Sequence, residues 1–324
     1  MTDQRTRHAI EASDTDELIR IVDGHAAARA WDQMIAVSRL CREAVTRGKQ
    51  LWAITEYVRY RLALDAPGEY AGPAVAEGPT RFTLGPLPEV AASTKTWDEL
   101  EPHLVPGPER TFTAHERVLR GEDLTGAAVD PMVVELPLAL QEWEPAYALA
   151  TYKADRVDAP TPRKAAMPAL SDIEPAAEVD DADGYRALLS IVEHWVESSN
   201  GRTQAVCVEG SAAGAVAALG PSRAALRSME GSEAMAWIAW AAASGGAHGR
   251  RRGATAGRFA AWWVTHELAG LEWPVEPPDM GRALGELRWH QWWDGTPDTG
   301  WSLRLAVESP TEGLAWAVAA VDAD

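Results

Sequence analysis

Residues 287–307 read LRWHQWWDGTPDTGWSLRLAV, and the fold class turns on them. Alternate positions put Leu287, Trp289, Gln291 and Trp293 on one face, and Trp301, Leu303, Leu305 and Val307 on another. A period of two is the signature of a strand. The intervening DGTPDTG is dense in turn formers. The pattern predicts an antiparallel hairpin with one buried face, covered by a last helix over 310–321. Working upstream, helical spacing is expected over 255–269, 232–244, 211–219 and 185–197, and TQAVCV at 203–208 reads as a short strand.

Farther back, residues 159–183 are rich in proline, carry six acidic residues from Asp172 on, and hold a single leucine. Such a stretch has little apolar surface to bury and reads as an acidic linker. Residues 76–158 are punctuated by proline and glycine, leaving room for short helices over 96–104 and 109–120. The run 145–155, PAYALATYKAD, fits a strand or a helix equally well.

At the N-terminal end, apolar residues recur at helical spacing: Leu18, Ile21 and Val22, then Trp31, Met34, Ile35, Val37 and Leu40, then Leu51, Ile54, Val58 and Leu62. Asp14 or Asp16 can cap the first helix, Gly48 can end the second, and Pro67 with Gly68 closes the third. The organisation is therefore a helical unit over 1–75, an irregular middle over 76–158, a linker over 159–183 and a tryptophan-rich α+β domain over 184–324. The fold class is α+β and helix-dominated, with an N-terminal three-helix unit and C-terminal helices packed on a small antiparallel sheet.

Composition narrows the function. The chain has 324 residues, 46% apolar and 24% charged, an ordinary folding composition. A net charge of −18 repels phosphate backbones and anionic lipid surfaces, so neither a nucleic acid nor a membrane is an expected partner. The opening MTDQRTRHAI lacks the apolar core of a signal peptide, and no run approaches the length of a membrane span. With two cysteines, Cys41 and Cys207, neither a disulfide framework nor a cysteine-based zinc site is available. A cytoplasmic protein is the expectation.

Three constellations bear on chemistry. The first is SGGAHGRRRGATAGR, 244–258, inside a stretch from Ala234 to His266 without one acidic residue. Glycines allow close backbone approach, a following helix offers free N–H groups, and arginines supply bidentate donors. Arg250, Arg251, Arg252 and Arg258, with His248 and Gly249, are thus candidate ligands for a small anion, and the nearby Trp240 and Trp262 are candidate walls. The segment matches neither the phosphate-binding P-loop nor the dinucleotide fingerprint. Its other reading is packing, because Gly245, Gly249, Gly253 and Gly257 recur every four residues. The second is tryptophan density, with ten of fifteen tryptophans between Trp237 and Trp316, which suits a core or a stacking platform. The third is Arg288, His290 and Trp292 across from Arg304 and Glu308, an acid/base site or a set of cross-strand salt bridges.

No stretch carries a catalytic, metal or cofactor signature; His266-Glu267 lacks a zincin helix's second histidine, and no serine sits in a nucleophile elbow. No catalytic residue, metal ligand or cofactor is assigned. The function read from the sequence is a noncatalytic binding or adaptor protein working through protein contacts. The alternative is an enzyme or sensor for a small anionic, perhaps phosphorylated, ligand held by 244–258.

Overall fold

The computed structural model describes residues 4–297 and 300–323. The chain divides into two compact units, residues 1–134 with 150–159 and residues 135–149 with 160–324.

The first unit is built of helices α1 (Gln4–Ala12), α2 (Thr15–Ala27), α3 (Trp31–Thr46), α4 (Trp52–Asp65), α5 (Gly68–Ala76), α6 (Leu87–Ala92), α7 (Trp97–Leu100) and α8 (Pro108–Leu119). A two-residue ribbon pairs β1 (Thr151–Tyr152) with β2 (Val157–Asp158). The three expected N-terminal helices are α2, α3 and α4. Asp14 caps α2, its Oδ1 accepting the Glu17 N–H at 3.0 Å, and Gly48 follows α3 with a φ of +91°. Leu18, Val22, Met34, Val37, Cys41, Ile54 and Val58 form one core, which also takes Ile10 from α1. Helix α1 was not expected, since in QRTRHAIEA only Thr6, Ala9 and Ile10 turn inward. The last carbonyls of α4, on Ala63 and Leu64, accept the buried Lys95 ammonium at 2.8 and 3.0 Å. Run 145–155 resolves to β1 alone.

The second unit holds β3 (Ser171–Asp172), α9 (Ala182–Ser190), α10 (Glu193–Glu197), β4 (Arg202–Glu209), α11 (Ala212–Ala218), β5 (Arg223–Met229), α12 (Gly231–Ala243), α13 (Ala254–Leu268), α14 (Pro277–Glu286), β6 (Arg288–Trp293), β7 (Trp301–Ser309) and β8 (Leu314–Asp322). Six strands form one antiparallel sheet in the order β3-β5-β6-β7-β8-β4. The expected hairpin is β6–β7; Asp298 and Thr299 of its predicted turn lie outside the described residues, as do residues 1–3.

Two expectations need correction. The last helix, 310–321, is instead strand β8, paired along its whole length with β7 on one side and β4 on the other. Ala315 and Ala317 face α11, while Trp316 and Val318 are buried on the other side. A strand between two others and covered on both faces is favoured by its neighbours, and this overrides the helical preference of its alanines. The hairpin also has two buried faces, because Trp292 and Ala306 lie under α11. Strand β5 and helix α14 are further elements, and α9 and α10 replace a single helix over 185–197.

Residues 159–183 run along the sheet. Ser171–Asp172 pairs with β5 as β3, Ile173 N–H donates to Ser222 O at 3.0 Å, and Val179 N–H donates to Cys207 O at 2.9 Å. Ile173 and Ala176 pack on the α11 cluster, and Asp181 accepts the Trp316 indole N–H at 2.6 Å.

Helices α12 and α13 touch through Gly257, where a Cβ would stand 2.2 Å from Ala239 O. A helical glycine normally costs up to about 1 kcal/mol against alanine, but here the clash with rigid backbone wins. Gly257→Ala is expected to lower stability by about 1–3 kcal/mol. Gly24→Ala, on α2 where a Cβ meets nothing within 4 Å, is expected to raise it by about 0.4–1 kcal/mol. Chemical denaturation of the two variants checks the contrast.

Candidate functional site

The Gly/Arg segment is a loop from the end of α12 into α13. Ser244 starts it: its Oγ accepts the Trp195 indole N–H at 2.8 Å and donates to Ala241 O at 2.8 Å. Gly245 lies against the backbone of Gly249 and Arg250, where a Cβ would be 2.3 Å from Gly249 C. Ala247 N–H donates to the buried Asp322 Oδ2 at 2.6 Å, His248 N–H to Ser199 Oγ at 3.0 Å, and Arg252 N–H to Ala243 O at 2.8 Å. The loop thus binds α12, the residues after α10 and the end of β8 to one another.

The eight candidate residues divide. Arg258 is fully buried and pairs in two-pronged fashion with Glu144, Nη2–Oε1 at 2.6 Å and Nε–Oε2 at 2.8 Å, with both side chains 0% exposed. Its remaining donors reach Pro137 O at 2.9 Å and Ala139 O at 3.1 Å. Trp262 belongs to the same cluster: its indole N–H donates to Glu144 Oε2 at 3.2 Å, and its ring lies 5.1 Å from that of Trp143. Tyr147 Oη completes it, donating to Glu144 Oε2 at 2.6 Å. Burial alone would push the Glu144 carboxyl up; the Arg258 hydrogen bonds and charge, with Tyr147 and the Gln141 N–H, outweigh it and hold it below its ordinary 4.5.

Arg252 stands beside α10, where the charges of Glu193 and Glu197 act on it. Arg250 and His248 are exposed, and Arg251 and Gly249 half-buried, on the loop itself. Trp240 lies in a different cluster, stacked on Trp301 at 5.0 Å and edge-on to Trp195 and Trp237 at 6.0 and 5.5 Å. The structure therefore brings Arg258 and Trp262 together around Glu144, and keeps them apart from Trp240. Glu144 is the partner that sequence reasoning missed. It sits 114 positions from Arg258, in a stretch without periodicity.

On β6 and β7, His290 Nε2 is 4.0 Å and Arg288 Nη1 3.8 Å from Glu308. Glu308 Oε1 accepts the Ala212 N–H at 2.8 Å, at the start of α11. The first two distances exceed hydrogen-bond reach, so the group is a loose ion cluster rather than a proton-transfer pair. Burial lowers the His290 pKa from 6.5, and the Glu308 charge opposes that. No group of metal-ligating side chains occurs among the described residues, and no described helix is long and apolar enough to cross a membrane.

On the first unit a second surface is built around α4. The Glu56 carboxylate accepts the N–H groups of Arg81 and Phe82 at 2.5 and 2.6 Å. Arg59, one turn on, donates to Ala74 O at 3.0 Å and Gly78 O at 2.6 Å. These bonds fix the loop before α6 along the helix and leave Phe82 60% exposed. Trp52 precedes Glu56 by four residues, hence on the same helix face, and is 53% exposed.

Residues 15–324 match the model of DUF6183, a family of unknown function, and the chain belongs to that family. No curated protein and no solved structure matches it.

Removing one partner of a buried pair leaves an uncompensated charge, at a cost of about 3–5 kcal/mol. Arg258→Ala is expected to lose that much in denaturant titrations, and Arg258→Met with Glu144→Gln to lose clearly less. Because the folded carboxyl titrates below 4.5, the pair's contribution is present in full above that value and lost as the pH falls through the lower folded one. Acid titration of Glu144→Gln is expected to lack this component.

Proposed function

We propose that the protein is a noncatalytic, cytoplasmic binding protein that engages a protein partner through the Trp52–Phe82 face of its first unit. The observation that carries this reading is the exposure of two aromatic side chains on a loop and helix that Glu56 and Arg59 hold rigid. Large aromatics are the residues that most often dominate protein interfaces. A pre-ordered loop lowers the entropy lost on docking. The net charge of −18 favours a partner whose docking surface is basic around an apolar centre.

The cytoplasmic setting is supported by Cys41 and Cys207, which are both buried free thiols rather than a disulfide. The rival reading at 244–258 draws less support, since Arg258 and Trp262 are committed to Glu144.

The test compares capture from an extract of the native host by the full chain and by Trp52→Ala, Phe82→Ala. Both side chains are exposed, so the variant is expected to keep its melting temperature within about 2 °C. A protein retained by the wild type and reduced at least about tenfold by the variant supports the reading. Capture of the same proteins in the same amounts sinks it.

A further inference from the structure

The Glu56 carboxylate lies on the exposed aromatic face of the first unit, and only one of its oxygens is used. The N–H groups of Arg81 and Phe82 both reach Oε2. Among the described residues Oε1 takes no hydrogen bond, and it is not one of the side-chain atoms buried without a partner, so it keeps surface open to solvent. The two arginines beside it leave that oxygen alone. Arg59 donates to Ala74 O and Gly78 O and stands 3.6 Å from Glu77, so its charge and that of Glu56 meet only across space. The Arg81 side chain is exposed on the loop and makes no bond to Glu56.

Two rings border the free oxygen. A helical side chain leans toward the helix N-terminus and covers the turn before its own Cα, so the Glu56 carboxylate is directed toward Trp52, four residues earlier on α4. Phe82 is held beside it by the bond from its own N–H. Both side chains are more than half exposed. Among the described residues neither ring stacks on another ring or already carries a cation. Ring faces are partly negative and the carboxylate fully so, and a flat cation with N–H groups on its rim satisfies both at once. A guanidinium has that shape, whereas an ammonium is a compact, strongly hydrated point charge.

We propose that this face recognises an arginine side chain of the protein partner, its guanidinium donating to Glu56 Oε1 while its plane rests against the Trp52 indole beside Phe82. The inference rests on the Trp52–Phe82 reading and deepens it, because it names the group that the basic partner presents. The net charge of −18 draws such a partner in.

The test titrates the full chain, labelled with 5-fluorotryptophan, with the peptide acetyl-Leu-Arg-Leu-amide, and follows the Trp52 resonance by fluorine NMR. That resonance is assigned by its loss in Trp52→Phe. The same peptide with citrulline, planar but neutral, and with lysine are the comparisons. The expected result is a saturable shift with Kd below about 10 mM for the arginine peptide, with the citrulline peptide at least about fivefold and the lysine peptide at least about threefold weaker. Glu56→Gln is expected to weaken the arginine peptide about tenfold with the loop in place, since the amide oxygen still accepts both backbone N–H groups and only Oε1 becomes an NH₂ with no lone pair to offer. Phe82→Ala removes an exposed ring and is expected to weaken it about threefold, which keeps the proposal testable where the glutamine variant loosens the loop. No saturable shift up to about 50 mM, citrulline or lysine peptides that bind as tightly as arginine, or both variants within about 1.5-fold of the wild type would each overturn the proposal. The docking reading and this one fail separately. Capture that depends on Trp52 and Phe82 but comes with no shift here keeps the docking face and removes arginine from it. A shift that Glu56→Gln abolishes, without capture, keeps the arginine site and removes the extract partner.

Discussion

A charge with no water around it is tolerated only beside its opposite, and the second unit is organised to meet that condition for Arg258. The guanidinium on α13 is closed off by Glu144, by two carbonyls of the 135–149 stretch and by the ring of Trp262. Tyr147 and the Gln141 N–H serve the carboxylate. Such a pair contributes little net stability compared with an apolar core of the same size. Its effect is on uniqueness: 135–149 has no regular structure to fix its position, and Arg258 accepts it in one register only. Helix α13 is in turn set against α12 by Gly257. A backbone contact and an ion pair thus position elements that hydrophobic burial alone would leave free to slide.

The parts of this fold that were legible in the sequence are those whose residues carry a period. Helices α2 to α4 announce themselves by Leu18, Val22, Met34, Val37, Ile54 and Val58, and the hairpin by alternating tryptophan and leucine. Strand β8 was not legible, because alanine on both faces of LAWAVAAV looks helical, and its strand state comes from β4 and β7 on either side. Strand β5 was hidden similarly, since RAALRSM shows no clean alternation.

The candidate sites divide in the same way. The arginines of 244–258 were visible as a cluster in sequence, but their partners were not. Glu144 and Arg258 are separated by 114 positions, and no local pattern links them. Glu56 was equally silent: its carboxylate accepts from the backbone N–H groups of Arg81 and Phe82, and backbone donors leave no mark on residue type.

The six-stranded sheet is open, and an open sheet exposes unpaired backbone along its two outermost strands. In this chain the acidic run attends to both. Ser171–Asp172 is itself the strand beyond β5, and Ala177, Glu178 and Val179 lie along β4 through two hydrogen bonds and a bridge to Val208. One segment therefore lies along part of both margins, at Arg223 and Ala224 of β5 and at residues 207–209 of β4, and it is the most acidic stretch of the second unit, with Asp172, Glu174, Glu178, Asp180, Asp181 and Asp183 in twelve residues. Another copy approaching to extend the sheet would have to displace that segment and then pair its strands beside a row of like charges. Charged, very short margins are how natural sheets avoid growing into fibres, and this segment gives both outer strands of the sheet a margin of that kind.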